Sequence, residues 1–260
     1  MIKETLTQAL VVASYEVRKY FRGRRLIGML VLLALIIGLL LGLPPALGIK
    51  YASEPNAFVS TFAAFSGVLV VLGGVLFAAD ALVSEHEKRT GYFLFPNPVR
   101  REVLVLGKLA ASLFTSAAII SLYYLAAAIA ALAITGASSW AIGLSYAYSL
   151  AYMAAVIGVA YLVSASFKTT VAATVLTFFL FTLIFMIVQG VLTLGKIDPW
   201  FVPTAASGII GDVLSSSRVG PGGFGGYVPD AATSLLVFAG YFVAGSVLSI
   251  LLFRRRELAT

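Results

Sequence analysis

The sequence predicts an all-α membrane protein with six transmembrane helices, both termini in the cytoplasm, and an amphipathic interfacial helix before the first crossing. Three observations support this fold class. Of the 260 residues, 60% are hydrophobic and only 11% are charged, whereas charged residues make up about 25% of a typical soluble domain. Six uncharged stretches are long enough to cross a hydrocarbon core of roughly 30 Å, which takes about 20 helical residues. Lysine and arginine are concentrated in alternate connections between these stretches.

Residues 1–25 are predicted to form the interfacial helix, because apolar side chains recur there every three or four residues on one face. This stripe consists of Ile2, Leu6, Leu10, Ala13, Val17 and Phe21. A cationic cluster is expected to contact anionic headgroups. The cluster consists of Arg18, Lys19, Arg22, Arg24 and Arg25. Gly23 is expected to provide the bend into the first crossing.

Residues 26–260 are predicted to form one transmembrane domain. The six crossings are residues 26–43, 57–79, 109–134, 141–167, 169–194 and 231–253. Residues 109–167 contain no charged side chain, but a single helix of that length would be roughly 88 Å long. We therefore expect a break at "TGASSW", where Gly136 and two serines weaken the helix and Trp140 suits a membrane interface. The short "SFKTT", which carries Lys168, separates the fourth and fifth crossings.

The distribution of lysine and arginine predicts the orientation of the chain. The two terminal segments, the connection between the second and third crossings and the Lys168 turn together carry 15 of the 18 lysines and arginines. The opposite side carries Lys50, Lys196 and Arg218. Cytoplasmic segments are enriched in these residues, so we place both termini in the cytoplasm, in the cell (plasma) membrane. The same bias explains most of the net charge of +7, and no nucleic-acid partner is predicted.

The external loop 195–230 is the longest predicted connection. Its "DPWFVP" segment contains two aromatic residues that could anchor at the interface, and the next segment could form a short helix capped by Thr204. One interpretation is an ordinary surface loop. The other is a helix that dips back into the outer leaflet and forms part of a gate. The gate residues of this hypothesis are Trp200, Phe201, Ile209 and Ile210.

Catalytic chemistry within this chain is not predicted. Charged residues are absent from the six crossings, and the nearest is Asp80 at the end of the second. Ion-driven carriers generally need ionisable groups there, so the energy for transport is expected to come from elsewhere. "GVLTLGKI" has the glycine and lysine spacing of a phosphate-binding loop, but Ile197 stands where Ser or Thr binds magnesium. We therefore predict no catalytic residue, no enzyme activity, and no cofactor or metal bound by this chain.

The connection 84–108, between the second and third crossings, is the most distinctive segment. Residues 82–108 contain eight of the 29 charged side chains, the one histidine and two of the nine prolines. Residues 84–95 are expected to continue the second crossing as a helix, with Ser84 as a possible cap.

Within this connection, Glu85 and Arg89 stand four residues apart and can pair, which stabilises a helix by about 0.2 to 0.5 kcal/mol. Pro96 and Pro98 are expected to end the helix. The return to the membrane brings three cations that are expected at headgroup level: Arg100, Arg101 and Lys108.

A solvated loop that obeys the positive-inside rule explains these cations, but not the aromatic residues Tyr92 and Phe93, the prolines or the glutamates. A segment that only reversed the chain could be as short as "SFKTT". Apolar anchors give affinity and charges give register in protein interfaces. The composition therefore indicates a docking surface.

The connection resembles the one between the second and third membrane helices in permease subunits of ABC transporters, in the ABC type-2 exporter permease family. That connection typically has an acidic residue, a basic pair, a glycine, a short apolar run, Pro-Val, basic residues, and Gly-Lys at the start of the third helix. The matching residues are Glu85, Lys88, Arg89, Gly91, Leu94, Pro98, Val99, Arg100, Arg101, Gly107 and Lys108. The basic N-terminal helix and the six crossings are also similar, so the resemblance covers nearly the whole chain.

The resemblance implies a permease subunit that binds a separate cytoplasmic ABC ATPase subunit, which holds the ATP and magnesium. It also implies a second copy of this chain, as in a homodimer, or a related permease that forms the other half of the translocation pathway. The connection is then the coupling element that the ATPase moves. The coupling residues implied are Glu85, His86, Glu87, Lys88, Arg89, Gly91, Tyr92, Phe93, Pro96, Pro98, Arg100 and Arg101.

The leading hypothesis is therefore an ABC exporter permease. An alternative is a non-transporting membrane scaffold or assembly factor that recruits a cytoplasmic partner through the same connection. A third hypothesis is a channel or facilitator, against which the scarcity of polar residues in the crossings argues.

Overall fold

The computed structural model describes residues 2–87, 101–215 and 227–255. No strand occurs in these residues. The helices are α1 (Ile2–Arg22), α2 (Arg24–Ala46), α3 (Pro55–Phe77), α4 (Val83–Glu87), α5 (Arg101–Thr135), α6 (Trp140–Ser166), α7 (Thr170–Phe179), α8 (Phe185–Leu194), α9 (Pro203–Ala206), α10 (Ile209–Asp212) and α11 (Ala231–Arg255). A π-helical turn, Leu180–Ile184, joins α7 to α8.

Six helices in this described part are long and apolar enough to cross a membrane. They are α2, α3, α5, α6, α11 and the composite helix of α7, the π turn and α8. Each corresponds to one predicted crossing, so the predicted class of a six-helix membrane protein is confirmed. At 35 residues α5 is about 52 Å long, and it extends beyond a hydrocarbon core of about 30 Å.

Both predicted breaks between crossings are confirmed. At the first break, α5 ends at Thr135, Gly136 has a positive φ of 73°, and the Ser139 side chain accepts a hydrogen bond from the Ala141 N–H at the start of α6. Glycine adopts this left-handed conformation without the steric cost that a Cβ imposes. At the second break, the Thr169 side chain caps α7 by accepting from the Ala172 N–H.

The centre of the bundle is α6, in whose most apolar 18-residue stretch 72% of the residues are buried, against 17% in the α7–α8 composite. It packs closely against α11, where a Cβ added to Gly245 would lie 2.4 Å from the backbone of Gly158. This distance is far below van der Waals contact, so the two glycines permit the approach of the two helices. The outward-facing apolar side chains of the other spanning helices are suited to lipid.

Contacts between chain segments define two ends of the bundle. Arg25 at the start of α2 pairs with Asp80, and Arg254 at the end of α11 pairs with Glu102, so the first crossing begins and the last crossing ends where the connection begins and finishes. We call this the connection end. The opposite end, which contains Trp140 and the α9–α10 segment, is called the loop end.

Helix α1 forms as predicted, but its contact with the rest of the protein differs from the predicted stripe. Leu6, Leu10 and Phe21 are exposed, while Ala13 and Val17 pack against the buried core. Polar residues of α1 that were not part of the predicted stripe also face the core. This face of α1 consists of Ala9, Val12, Glu16 and Tyr20.

The helix expected over residues 84–95 does not continue the second crossing. Helix α3 ends at Phe77, the chain turns through residues 78–82, and α4 begins at Val83. Ser84 is therefore the second residue of α4 rather than its cap. The part of the prediction that concerns residues 88–95 lies outside the described residues.

In its described residues, 195–215 and 227–230, the external loop forms two short helices, α9 and α10. Thr204 does not cap the first of them, because α9 begins one residue earlier, at Pro203, and its N-cap is Val202. Proline suits the first helical position, where its missing N–H costs no hydrogen bond.

Candidate coupling site at the connection end

The candidate site is built around the interruption between α3 and α4. Phe77, Ala78, Ala79, Leu82 and Val83 are completely buried there. Where a helix stops, its last carbonyl groups lose their helical partners, and buried backbone groups of this kind are satisfied by other donors and acceptors. In this protein several of those partners are side chains from other helices.

Three of these side chains are hydroxyls. The Phe77 carbonyl accepts hydrogen bonds from the hydroxyls of Tyr20 in α1 (2.8 Å) and Ser112 in α5 (2.6 Å). The Ser164 hydroxyl of α6 accepts from the N–H groups of Leu82 (3.0 Å) and Val83 (3.1 Å). Burial raises the pKa of Tyr20, so its hydroxyl stays protonated and remains a donor at neutral pH. Three helices therefore hold the interruption in place.

Lys108 is the charged centre of the site. Its side chain is only 3% exposed, and its Nζ lies 3.0 Å from Glu16 Oε1 and 2.5 Å from Glu85 Oε1. Nζ also donates to the Ala81 carbonyl, at 3.1 Å. One ammonium group thus joins α1, α5, α4 and the interruption. A buried charge is tolerated when it is paired and hydrogen-bonded in this way.

One sequence expectation is corrected here. Lys108 was expected to contact headgroups, but its side chain is buried within the protein. Glu85 pairs with Lys108, and its predicted pairing with Arg89 involves a residue outside the described ranges and stays a prediction. Lys19 Nζ also lies 3.0 Å from the second oxygen of Glu16, so the described part of this cluster contains two cations and two carboxylates.

Gly107 explains why a glycine precedes this lysine. A Cβ at Gly107 would lie 2.7 Å from the Ala9 carbonyl oxygen and 2.7 Å from Val12 Cβ. The absence of a side chain lets α1 approach α5 closely, and this approach brings Glu16 to Lys108. Gly107 therefore permits the close approach of α1 that Lys108 requires in order to bind Glu16.

A second ion pair lies beside this cluster. Arg25 Nη1 is 2.5 Å from Asp80 Oδ2 and donates to the Leu76 carbonyl at 3.2 Å. Asp80 is buried at the end of the second crossing, as its position in the sequence indicated. Arg25 therefore binds the protein while its side chain remains 48% exposed, so its predicted contact with headgroups stays a prediction. All five residues of the predicted cationic cluster are exposed: Arg18, Lys19, Arg22, Arg24 and Arg25.

Both ends of the connection contact a further helix. Glu87 Oε2 accepts a hydrogen bond from the backbone N–H of Thr170, the first residue of α7, at 2.8 Å. Glu102 Oε1 lies 3.0 Å from Arg254 Nη1 at the end of α11, and both side chains are about half exposed. The connection is thus attached to the fifth crossing before it leaves the bundle and to the sixth after it returns.

The remaining predicted coupling residues are only partly described. His86 lies in α4 and Arg101 begins α5. The rest lie outside the described residues: Lys88, Arg89, Gly91, Tyr92, Phe93, Pro96, Pro98 and Arg100. Leu94 and Val99, which match the family pattern, also lie outside them.

The predicted gate residues at the loop end divide into two pairs. Trp200 and Phe201 are exposed, and their rings contact each other edge to face at 5.8 Å. Ile209 and Ile210 are buried, and the Ile210 carbonyl accepts from the Ser145 hydroxyl of α6 at 2.7 Å. The α9–α10 segment is therefore docked into the bundle, rather than forming a free surface loop.

A groove of about 840 Å³ lies beside this segment. Small residues of α3, including Ser60, Ala63 and Gly67, form one wall, α8 forms a second, and α9–α10 forms the third. None of the described residues that line it is charged. The groove can therefore accommodate an apolar or uncharged group, with Gln189 and hydroxyls as its polar contacts.

These features first define a class: a multi-pass membrane protein whose connection end is organised by buried charges. The particular family follows from the sequence. The model of the ABC-2 family transporter proteins matches residues 10–258, which is nearly the whole chain. The chain therefore belongs to this family, and the resemblance to ABC type-2 permeases is confirmed. No curated protein matches the sequence.

Proposed function

We propose that this transporter subunit is the permease half of an ABC exporter and that the connection 84–108 couples it to a separate cytoplasmic ATPase. One observation above all supports the proposal: side chains tie the described parts of the connection to α1, α7 and α11. A segment attached to several helices can pass a displacement to all of them, which a simple solvated loop would not do.

The proposal includes the partners and the orientation. ATP and magnesium bind in the ATPase subunit, and a second copy of this chain, or a related permease, completes the translocation pathway. Both termini and the connection face the cytoplasm of a plasma membrane, in agreement with the excess of lysine and arginine at that end. The exposed cations of α1 meet anionic headgroups, and the segment with Trp200, Phe201, Ile209 and Ile210 closes the outer side.

The test is co-purification of the full chain with a cytoplasmic ABC ATPase encoded beside it. Reversing two charges of the connection, Arg100→Glu with Arg101→Glu, should reduce recovery of the ATPase at least tenfold, because charges set the register of an interface. The matched control reverses two exposed cations at the loop end, Lys50→Glu with Lys196→Glu, and should leave recovery unchanged.

The result that would contradict the coupling role is equal recovery of the ATPase by both double variants, together with unchanged ATP-dependent transport. Binding of the ATPase without any ATP-dependent transport would instead favour a scaffold.

A further inference from the structure

The two halves of the fifth crossing are held very differently. On the connection side, α7 and the π turn bury Ala173, Thr177 and Phe181. On the loop side, α8 buries none of its ten residues. A Cβ added at Gly190, in the middle of α8, would meet no described atom within 4 Å. Segments with few buried contacts open at the lowest free-energy cost, so α8 is the less firmly held half.

The boundary between the two halves is the π turn, Leu180–Ile184. A π turn inserts an extra residue into the helix and interrupts the regular i to i−4 hydrogen bonds. Interruptions of this kind are among the identifiable causes of helix bending. The π turn therefore lies at the point where the fifth crossing passes from a half with buried residues to a half with none.

The three walls of the groove also differ in how firmly they are held. The α9–α10 wall is anchored by the Ser145 bond to Ile210 and by buried Ile209, and α3 belongs to the buried core. The α8 wall is held mainly by one ring contact between Phe185 and Tyr241 and by the Thr204 hydroxyl, which donates to the Gln189 side-chain oxygen at 3.3 Å.

The opposite end of the fifth crossing is joined to the connection. Glu87 closes α4 and accepts from the Thr170 N–H, which is one of the unpaired donors at the start of α7. A carboxylate is also favoured there by the helix dipole. Displacement of α4 therefore acts directly on the first residue of α7.

We propose that α8 is the moving wall of the groove: Glu87 passes displacement of the connection to α7, and the π turn Leu180–Ile184 is the hinge about which α8 swings. This inference rests on the proposed function, because a partner ATPase must displace the connection. Glu87 is a positioning residue in this scheme and touches no substrate.

The experiment measures distances between pairs of spin labels in the full chain in lipid nanodiscs. The chain contains no cysteine, so two introduced cysteines carry the only labels, and an excess of unlabelled chain removes distances between copies. The loop-end pair is Leu194→Cys with Trp140→Cys, and the connection-end pair is Val171→Cys with Leu106→Cys. All four positions are exposed.

In the chain alone, we expect the loop-end distance distribution to be at least twice as wide as that of the connection-end pair. Equal widths would overturn the hinge. This comparison needs no partner, so it still decides on the hinge if no ATPase associates and the proposed function fails.

With the ATPase bound, ATP should shift the loop-end distance. We expect Glu87→Ala to reduce this shift at least twofold. Glu87→Gln retains an acceptor oxygen and should preserve most of the shift, which separates positioning from a folding defect. Glu54→Ala, which removes an exposed carboxylate at the start of α3, should leave it unchanged. A shift that survives Glu87→Ala, or that disappears with Glu54→Ala, would overturn the route through Glu87.

Discussion

The two ends of the bundle are stabilised by different chemistry. At the connection end, the buried Lys108 binds two carboxylates and a backbone carbonyl, and the half-exposed Arg25 binds the buried Asp80. At the loop end, neutral groups make the corresponding contacts: the Tyr124 hydroxyl bonds to Ser145 at 2.9 Å and Ser149 at 2.7 Å, and Ser145 bonds to Ile210. Buried charges and hydroxyls together organise the connection end, whereas neutral groups make the described contacts at the loop end.

This difference means that the two ends should respond unequally to loss of a single group. Removing one partner of a buried ion pair leaves the other charge uncompensated and costs about 3 to 5 kcal/mol. Removing one neutral hydrogen bond costs about 0.5 to 1.5 kcal/mol. Loss of one charged group should therefore destabilise the connection end as a whole, whereas loss of one neutral hydrogen bond at the loop end should lower the stability only slightly.

The largest effect is expected for Lys108→Met. The substitution keeps an apolar stem but leaves Glu16 and Glu85 without their shared ammonium, so the free energy of unfolding should fall by about 3 to 5 kcal/mol. Denaturant titration of the reconstituted protein measures this change. Lys168→Met, which removes an exposed lysine, is the control and should change stability by less than about 0.5 kcal/mol. A loss for Lys108→Met that is no larger than the control would show that the buried cluster does not stabilise the fold.

An intermediate effect is expected for Gly107→Ala. The new methyl would lie 2.7 Å from the Ala9 carbonyl oxygen, which forces α1 away from α5, and overpacking of this kind costs about 1 to 3 kcal/mol. Thermal unfolding should show the loss. Gly143→Ala in α6, near the loop end, meets no described atom within 4 Å, and it should instead stabilise by up to about 1 kcal/mol, because alanine is the better helix former. Equal effects of the two substitutions would refute the close contact of α1 with α5.

The smallest effect is expected for Ser145→Ala at the loop end. It removes the donor to the Ile210 carbonyl, while Tyr124 keeps its bond to Ser149, so we expect a loss of about 0.5 to 1.5 kcal/mol. Hydrogen exchange of the α10 amides should rise accordingly. Ser60→Ala is the matched control, because the Ser60 hydroxyl bonds within its own helix, to the Ala57 carbonyl. A Ser145 variant as costly as Lys108→Met would abolish the distinction between the two ends.

Features that local chemistry determines were predictable from the sequence. The break after Thr135 follows from Gly136 and the capping Ser139, and the turn at Lys168 from the short polar segment around it. The cap of α9 was predicted two residues late, at Thr204 instead of Val202, although Pro203 was itself a signal for the first helical position.

The end of α3 was not predictable in the same way. Residues 77–83 read "FAADALV" and contain no glycine, proline or asparagine to stop a helix. The interruption coincides with bonds from Tyr20 and Ser112 to the Phe77 carbonyl, residues that lie 57 and 35 positions away. Only the folded chain brings these donors together.

The site residues divide in the same way, into those that the sequence located and those that only the folded structure shows. The motif located Glu85, Gly107 and Lys108 but gave no physical reason for them. Ser112 and Ser164 were missed, because a serine in an apolar helix often bonds within its own helix, as Ser121 does to the Ala117 carbonyl, and sequence does not distinguish the two cases.

The pairing of Lys108 also bears on how the chain is made. A lysine entering a membrane without a partner is costly. Both of its carboxylate partners, Glu16 and Glu85, precede it in the sequence. Because synthesis runs from the N-terminus, both acids have already left the ribosome when Lys108 emerges. The order of residues along the chain thus makes both counter-charges available before the charge that needs them.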